Sequence, residues 1–322
     1  MTPSQDVYTN FIGFDVSKET ITVHNQNSGA AQDIENSSSG LRTFVRSLSP
    51  TCLAICEPTG GYEALLLTVL AEAGVPTHRA DARKVKAFIR SLGIYGKTDA
   101  IDARALAAYA QERHKRLSLW AAPEPVRLEL QALVARRQEL IALQTAEKNR
   151  AKAPLANHKA GRYVKASCTR MLKMIALEIN KTQRAIEAIM LADDDLRERQ
   201  AVLMQLKGIG PVVATTLLAT MPELGHLTRR QVASLAGLAP HPRQSGKTQQ
   251  YRRVCGGRRE VKRILFMAAM VAARHHPDLK AFYDRLIKNG KKPLVALTAV
   301  MRKLIVIINA KIRDHIEQKQ MS

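Results

Sequence analysis

The feature that most limits the fold is a change of periodicity near residue 120. Before it, short apolar runs alternate with helical patterns; after it, the chain reads as helix almost throughout. Phe11 to Val16 and Thr20 to His24 have strand character and are joined by a tight polar turn, so they open a sheet as a hairpin. Leu53 to Glu57 is a third short apolar run, closed by Pro58-Thr59-Gly60-Gly61. A helical pattern from Tyr62 to Ala73 stops at Gly74, followed by a strand around Val75 to Ala80 and a helix from about Asp81 to Leu92. Thr98 then caps a helix from Asp99 to about Arg113. Strands interleaved with helices make this an α/β domain.

Trp120-Ala121-Ala122-Pro123-Glu124-Pro125 breaks the pattern and marks a boundary. Three parts are expected: an α/β domain over 1–122, a helical hairpin or coiled coil over 123–195, and a basic, mainly helical domain over 196–322. In the middle part Leu172, Ile175, Ile179, Thr182, Ile186 and Ile189 recur at steps of three and four, the spacing of an antiparallel helix pair. Its connection, Arg150 to Lys165, holds Pro154, Gly161 and five basic residues. It reads as an exposed loop that either touches nucleic acid or is simply solvated. Near the C-terminus Leu297, Val300, Leu304 and Ile308 form one stripe of an amphipathic helix.

Fifty Lys and Arg oppose twenty-eight Asp and Glu, a formal charge of +22. Counterion release makes a polyanion the natural partner of such a chain, and nucleic acid is the leading class. Thirteen of those net charges fall between His226 and Lys292, where sixteen basic residues face only Glu260, Asp278 and Asp284. Charge alone says nothing of chemistry, since solvated faces carry similar balances. No basic stretch precedes an apolar one at Met1 to Asp6, and no run is expected to reach the ~18 apolar residues of a membrane span, so a soluble, intracellular protein without a membrane partner is expected. Cys52, Cys56, Cys168 and Cys255 are too scattered for a disulfide framework or a zinc knuckle; the first two read as core.

Asp15 and Glu57 close apolar strands, and Asp99 and Asp102 lie three apart on one helix face. Carboxylates converging from separate segments suit a hard cation such as Mg²⁺, which wants several oxygen ligands. The same residues also serve as ordinary strand-end caps and first-turn acids favoured by a helix dipole. The stretches Ile12-Gly13-Phe14-Asp15-Val16-Ser17-Lys18, Cys56-Glu57-Pro58-Thr59-Gly60 and Lys97-Thr98-Asp99-Ala100-Ile101-Asp102-Ala103-Arg104 resemble the three blocks of the DEDD insertion-sequence transposases. That family includes Piv-type DNA invertases and recombinases guided by a bridge RNA. The resemblance implies a RuvC-like, RNase H-like N-terminal domain in which Asp15, Glu57, Asp99 and Asp102 hold Mg²⁺ or Mn²⁺.

In the basic half, Leu206-Lys207-Gly208-Ile209-Gly210-Pro211 is compatible both with a helix-hairpin-helix turn, in which Lys207, Gly208 and Gly210 meet a phosphate, and with a plain interhelical turn. After Leu235-Ala236-Gly237-Leu238-Ala239-Pro240 comes a basic loop from His241 to Thr248 with Ser245 at its centre. A serine attacking phosphorus needs cationic donors for the developing charge, and Arg243, Lys247, Arg252 and Arg253 are available; by itself Ser245 equally reads as a turn residue. The family carries a Ser-Gly in this context, followed by a Gly and an Arg-rich helix, here Gly256 to Leu265 with Arg258 and Arg259. The resemblance therefore implies Ser245 as a nucleophile that joins covalently to DNA. Lys247 stands where relatives often carry a hydroxyl residue, leaving Thr248 as a rival.

These readings converge on a mobile-element DNA recombinase acting on donor and target DNA. The family further implies a structured guide RNA and a homo-oligomer, a tetramer of two dimers. Two rivals are a RuvC-like Mg²⁺-dependent junction nuclease and a non-catalytic basic nucleic-acid-binding protein.

Overall fold

The computed structural model describes residues 8–49, 51–93, 96, 98–152, 159–245 and 248–321, with the side chains of 159–160, 242–245 and 248–253 left aside. It divides into two compact units, Met1–Pro123 and Glu124–Ser322.

The first unit is built on one five-stranded sheet. Its strands are β1 (Asn10–Val16), β2 (Thr20–Asn25), β3 (Ala31–Glu35), β4 (Cys52–Cys56) and β5 (Thr77–Arg79), in the order β3-β2-β1-β4-β5. β1 to β3 form an antiparallel meander, while β4 and β5 run parallel to β1. Every residue of β4 is buried, as a central parallel strand requires. The sequence gives no sign of β3, because Ala-Gln-Asp-Ile-Glu lacks an apolar alternation and only Ile34 is partly buried. Nor does it announce α1 (Ser38–Val45), a short helix capped by Ser37.

Period-two alternation splits the strand side chains between two cores. Ile12, Phe14 and Val16 with Cys52, Ala54 and Cys56 face α1 and α2 (Glu63–Glu72). Phe11, Leu53 and Ile55 face α3 (Ala82–Ser91) and α4 (Asp99–Arg113). Cys52 and Cys56 are fully buried, as expected of core cysteines. Helix α4 starts where the sequence places it, with the Thr98 side chain accepting from the Ile101 N–H.

Among the described residues the second unit is helical apart from one hairpin. Its helices are α5 (Pro125–Ala151), α6 (Lys159–Ala192), α7 (Asp194–Met204), α8 (Pro211–Thr220), α9 (Arg229–Leu235), α10 (Arg259–His275), α11 (Pro277–Lys288) and α12 (Pro293–Met321). α5 and α6 pair, with Ile175, Thr182 and Ile186 of the stepped stripe buried. Leu130, Val134, Ile186 and Met190 at the base of that pair join one core with α7, α8, α10 and α12. The basic connection is shorter than expected: Arg150 lies in α5 and Lys159 to Lys165 lie in α6, with 153–158 outside the described residues. Gly161 does not stop α6, since one interior glycine costs only about 1 kcal/mol.

α12 is long and apolar enough by composition to cross a membrane, although Arg302 and Lys303 interrupt any unbroken run of ~18 apolar residues. An 18-residue window of this helix reaches a mean hydropathy of 1.7. Its buried Leu297, Val300, Leu304 and Ile308 belong to the shared core of the second unit, which accounts for the apolarity.

Candidate functional site

The four acids come from three separated segments and are brought to one edge of the first sheet. Asp15 is the sixth residue of β1, and Glu57 follows β4 directly; the parallel register Phe14↔Cys56 sets Asp15 and Glu57 side by side one step further on. Both continue the face of Phe11, Leu53 and Ile55, the face covered by α4.

The direction of α4 is fixed by its contacts with β1. The ring of His114, just past its C-terminal end, lies 5.3 Å from Phe11, and Ala103 and Ala107 lie over Gly13. The N-terminus of α4 therefore reaches Asp15. Asp102 precedes Ala103, and Asp99 stands one turn earlier on the stripe that continues into Leu106 and Ala110. Gly13 makes this possible. A Cβ there would meet the Ala103 carbonyl oxygen at 2.0 Å and the Ala107 nitrogen at 2.7 Å, so no other residue lets the helix backbone lie this close to the strand.

Asp15, Glu57 and Asp102 are half-buried and Asp99 is exposed. Among the described residues no group of three or more His, Cys, Asp or Glu side chains is close enough to hold a metal ion, so the acids share an edge without forming a closed ligand cage. Like charges at one edge repel, and a cation is what would draw such carboxylates together. Their all-oxygen chemistry and shared placement fit a hard divalent ion.

A fifth acid, missed by sequence reasoning, organises the loop after Glu57. Glu63, the first residue of α2, is only 3% exposed. It accepts hydrogen bonds from the Thr59 N–H at 3.0 Å and the Gly61 N–H at 2.9 Å, and it pairs with Arg79 at 2.7 and 3.2 Å. Burial pushes its carboxyl upward, but the Arg79 guanidinium and the loop amides outweigh that and hold it below the usual range. The available signal was an acid in the first turn of a helix behind a Pro-Thr-Gly-Gly turn; nothing linear joins it to Arg79.

Ser245 lies in the second unit, and its surroundings differ from the loop expected. β6 (Pro240–Ser245) and β7 (Thr248–Val254) form an antiparallel hairpin with Ser245 opposite Thr248. Arg243 is in β6, Arg252 and Arg253 are in β7, and Gly246 and Lys247 lie outside the described residues. The register slips between His241 and Arg243, around Pro242, which has no N–H to give a ladder.

The root of the hairpin is tightly held. Gly237 and Gly257, with φ of +68° and +69°, cross so closely that a Cβ on Gly257 would lie 2.0 Å from the Gly237 nitrogen. Arg258 donates from its backbone to Leu235, and its guanidinium makes a bidentate pair with Glu223 at 2.6 and 2.7 Å and a bond to the Thr220 carbonyl. Arg258, expected among the nucleic-acid contacts, is thus occupied within the protein. Arg259 is exposed at the start of α10.

In the Gly208–Gly210 turn, Gly208 has φ +99° and lies against α10, where a Cβ would meet the Ala268 carbonyl at 2.6 Å. Close packing therefore accounts for Gly208. Gly210 precedes α8 without a side-chain cap, and Lys207 is exposed.

Two family models match the chain. A DEDD transposase model of the IS110 type covers residues 12–159, and the model of the transposase IS116/IS110/IS902 family covers residues 200–284. The pilin gene-inverting protein of Moraxella bovis is 28% identical over 72% of this chain and 70% of its own length. The insertion element IS110 uncharacterized 43.6 kDa protein of Streptomyces coelicolor is 25% identical over 94% of both chains. The insertion element IS900 uncharacterized 42 kDa protein of Mycobacterium paratuberculosis is 26% identical over 79% of this chain and 81% of its own. The first match carries the acid-bearing sheet and α4, and the second carries the pinned hairpin, so both parts of the chain are similar to transposases of the IS110/IS116 family, a likeness that supports a function in mobile-element DNA recombination.

Proposed function

We propose that the chain cuts and rejoins DNA through a covalent Ser245–DNA intermediate, with Asp15, Glu57, Asp99 and Asp102 as ligands of Mg²⁺ or Mn²⁺. The observation that carries this reading is the convergence of the four acids from three segments on one sheet edge, held there by the Gly13 contact. Caps at unrelated strand ends have no reason to share an edge and a face. A divalent ion bound there would polarise a phosphodiester and offset charge on the oxygens that attack and depart.

The Ser245 hydroxyl oxygen attacks a backbone phosphorus as its proton leaves. The bond from phosphorus to one deoxyribose oxygen breaks, and that oxygen takes up a proton. A hydroxyl from another strand then attacks the same phosphorus, re-forms the ester and returns the serine. One ester replaces another at each step, so no nucleotide hydrolysis is required. The hairpin root formed by Gly237, Gly257 and Arg258 keeps the strand bearing Ser245 in place. Arg243, Lys247, Arg252, Arg253 and Arg259 supply positive charge for the phosphate. The RuvC-like fold of the first unit, a structured guide RNA and a tetramer built of two dimers through the α5–α6 pair complete the proposal.

The test incubates the chain with its flanking DNA, RNA transcribed from it and Mg²⁺, followed by denaturation. A DNA strand bound to protein at Ser245, absent from Ser245→Ala and from Asp102→Asn, is the expected result. Strand exchange retained by Ser245→Ala overturns the covalent mechanism, and nicking without exchange in that variant favours a hydrolytic nuclease. Unchanged metal-dependent activity in Asp15→Asn and Asp102→Asn overturns the metal site.

A further inference from the structure

The acid edge poses an electrostatic difficulty: carboxylates placed along one sheet edge repel the polyanion they are to act on. The same unit carries an answer in α3. This helix, Ala82–Ser91, contains no acid, and its buried stripe is Val85 and Phe88 with Ile89 beside them. Arg83, Lys86 and Arg90 occupy the opposite, exposed stripe at steps of three and four, and none of them forms an ion pair among the described residues.

Their placement is specific. β5 runs parallel to β4, so the turn from β5 into α3 lies at the same sheet edge as Glu57. α3 packs beside α4 on the same sheet face. Arg83 therefore stands at the acid edge, and Lys86 and Arg90 lead away from it. At about 1.5 Å per residue the row spans about 10 Å, close to three nucleotides at about 3.4 Å of rise each.

We infer that the Arg83–Lys86–Arg90 face of α3 is a phosphodiester track that holds one nucleic-acid strand as it enters the acid edge. This rests on the recombinase reading for its purpose but is measured without it, because binding requires neither Ser245 nor a metal ion. The ligand chemistry is a strand of backbone phosphates, supplied by DNA or by RNA.

The experiment uses the full-length chain without divalent ions and measures affinity for duplex DNA, single-stranded DNA and single-stranded RNA oligonucleotides across a salt series. Arg83→Gln/Lys86→Gln is compared with Arg42→Gln/Arg46→Gln, an equal charge loss at α1 on the other sheet face. Loss of two phosphate contacts lowers the slope of log K against log salt by about 1.8 for duplex or about 1.4 for single strands, a roughly 60- or 25-fold loss at 0.1 M salt. The arm with the loss identifies the strand. A slope change below about 0.5 in all three arms, or an equal loss in the α1 variant, overturns the track. Equal melting temperatures for both variants and wild type exclude unfolding as the cause. A covalent Ser245 adduct formed by a chain with no such loss would refute the track alone, and a loss without any adduct would refute only the recombinase mechanism.

Discussion

Replacing Gly13 by alanine tests how the acid edge is built. The added Cβ would lie 2.0 Å from the Ala103 carbonyl oxygen, about 1.4 Å short of the 3.4 Å at which ordinary contact begins, and 2.7 Å from the Ala107 nitrogen. Both obstacles are backbone atoms of α4, so no rotamer change relieves them. The helix must lift from β1 by about 1 Å, loosening Leu106 and Ala110 from Phe11, Leu53 and Ile55. Overpacking of this kind costs about 1–3 kcal/mol, and two backbone contacts in a core place Gly13→Ala near the upper figure. For a unit of this size that lowers the melting temperature by about 10 °C, read as the transition of the first unit in calorimetry of the full chain. Lifting α4 also carries Asp99 and Asp102 away from Asp15, and a misplacement of about 1 Å costs about 100-fold in rate. Ala103→Gly will not rescue the variant, because the clash is with the Ala103 backbone. A Gly13→Ala protein melting within about 3 °C of wild type, with unaltered Mn²⁺ binding and strand exchange, refutes the close approach and with it the placement of the acids.

Further outcomes follow from the same structure. Glu63→Gln puts an amide N–H₂ among donors and should cost about 2–4 kcal/mol, whereas Glu72→Gln, removing the exposed partner of Arg42, should cost under about 1 kcal/mol; paired denaturant curves decide. Because the Glu63 carboxyl is held below the ordinary value of 4.5, its advantage over Glu63→Gln is complete above that pH and disappears as pH falls through its folded-state value; a constant difference from pH 7 to pH 3 would contradict this. Arg258→Ala should lower the melting temperature through loss of the Glu223 pair while leaving the salt dependence of DNA binding unchanged, whereas a direct phosphate contact would reduce that slope by about 0.9. Burial pushes the Cys56 thiol up to about 12, so at pH 8 iodoacetamide should label the exposed Cys255 and spare Cys52, Cys56 and Cys168 in the native protein; rapid modification of Cys56 would show that the strand is not buried.

What the sequence determined by itself was local. Apolar runs, the Thr98 cap and the Gly74 stop depend on residues a few positions apart, and they place β1, β2, β4, α2, α3 and α4 nearly at their observed bounds. The four acids lie near the ends of those elements, but local spacing suits caps as well as ligands, and only the family resemblance singles them out as metal ligands. What depends on partners distant in the chain was not. β3 exists because β2 offers it an edge, and the β6–β7 hairpin forms where a polar, proline-containing stretch reads as a loop. Glu63 becomes a clamp only when β5 delivers Arg79, and Arg258 becomes a structural residue only when Glu223 lies beside it. Gly13 is an ordinary strand glycine in the sequence; its need to be glycine comes from α4, ninety residues later, crossing it at a distance no Cβ would permit. Hydrophobic period and capping are written in nearest neighbours, whereas close approach and buried charge pairing are decided only when packing brings distant segments together.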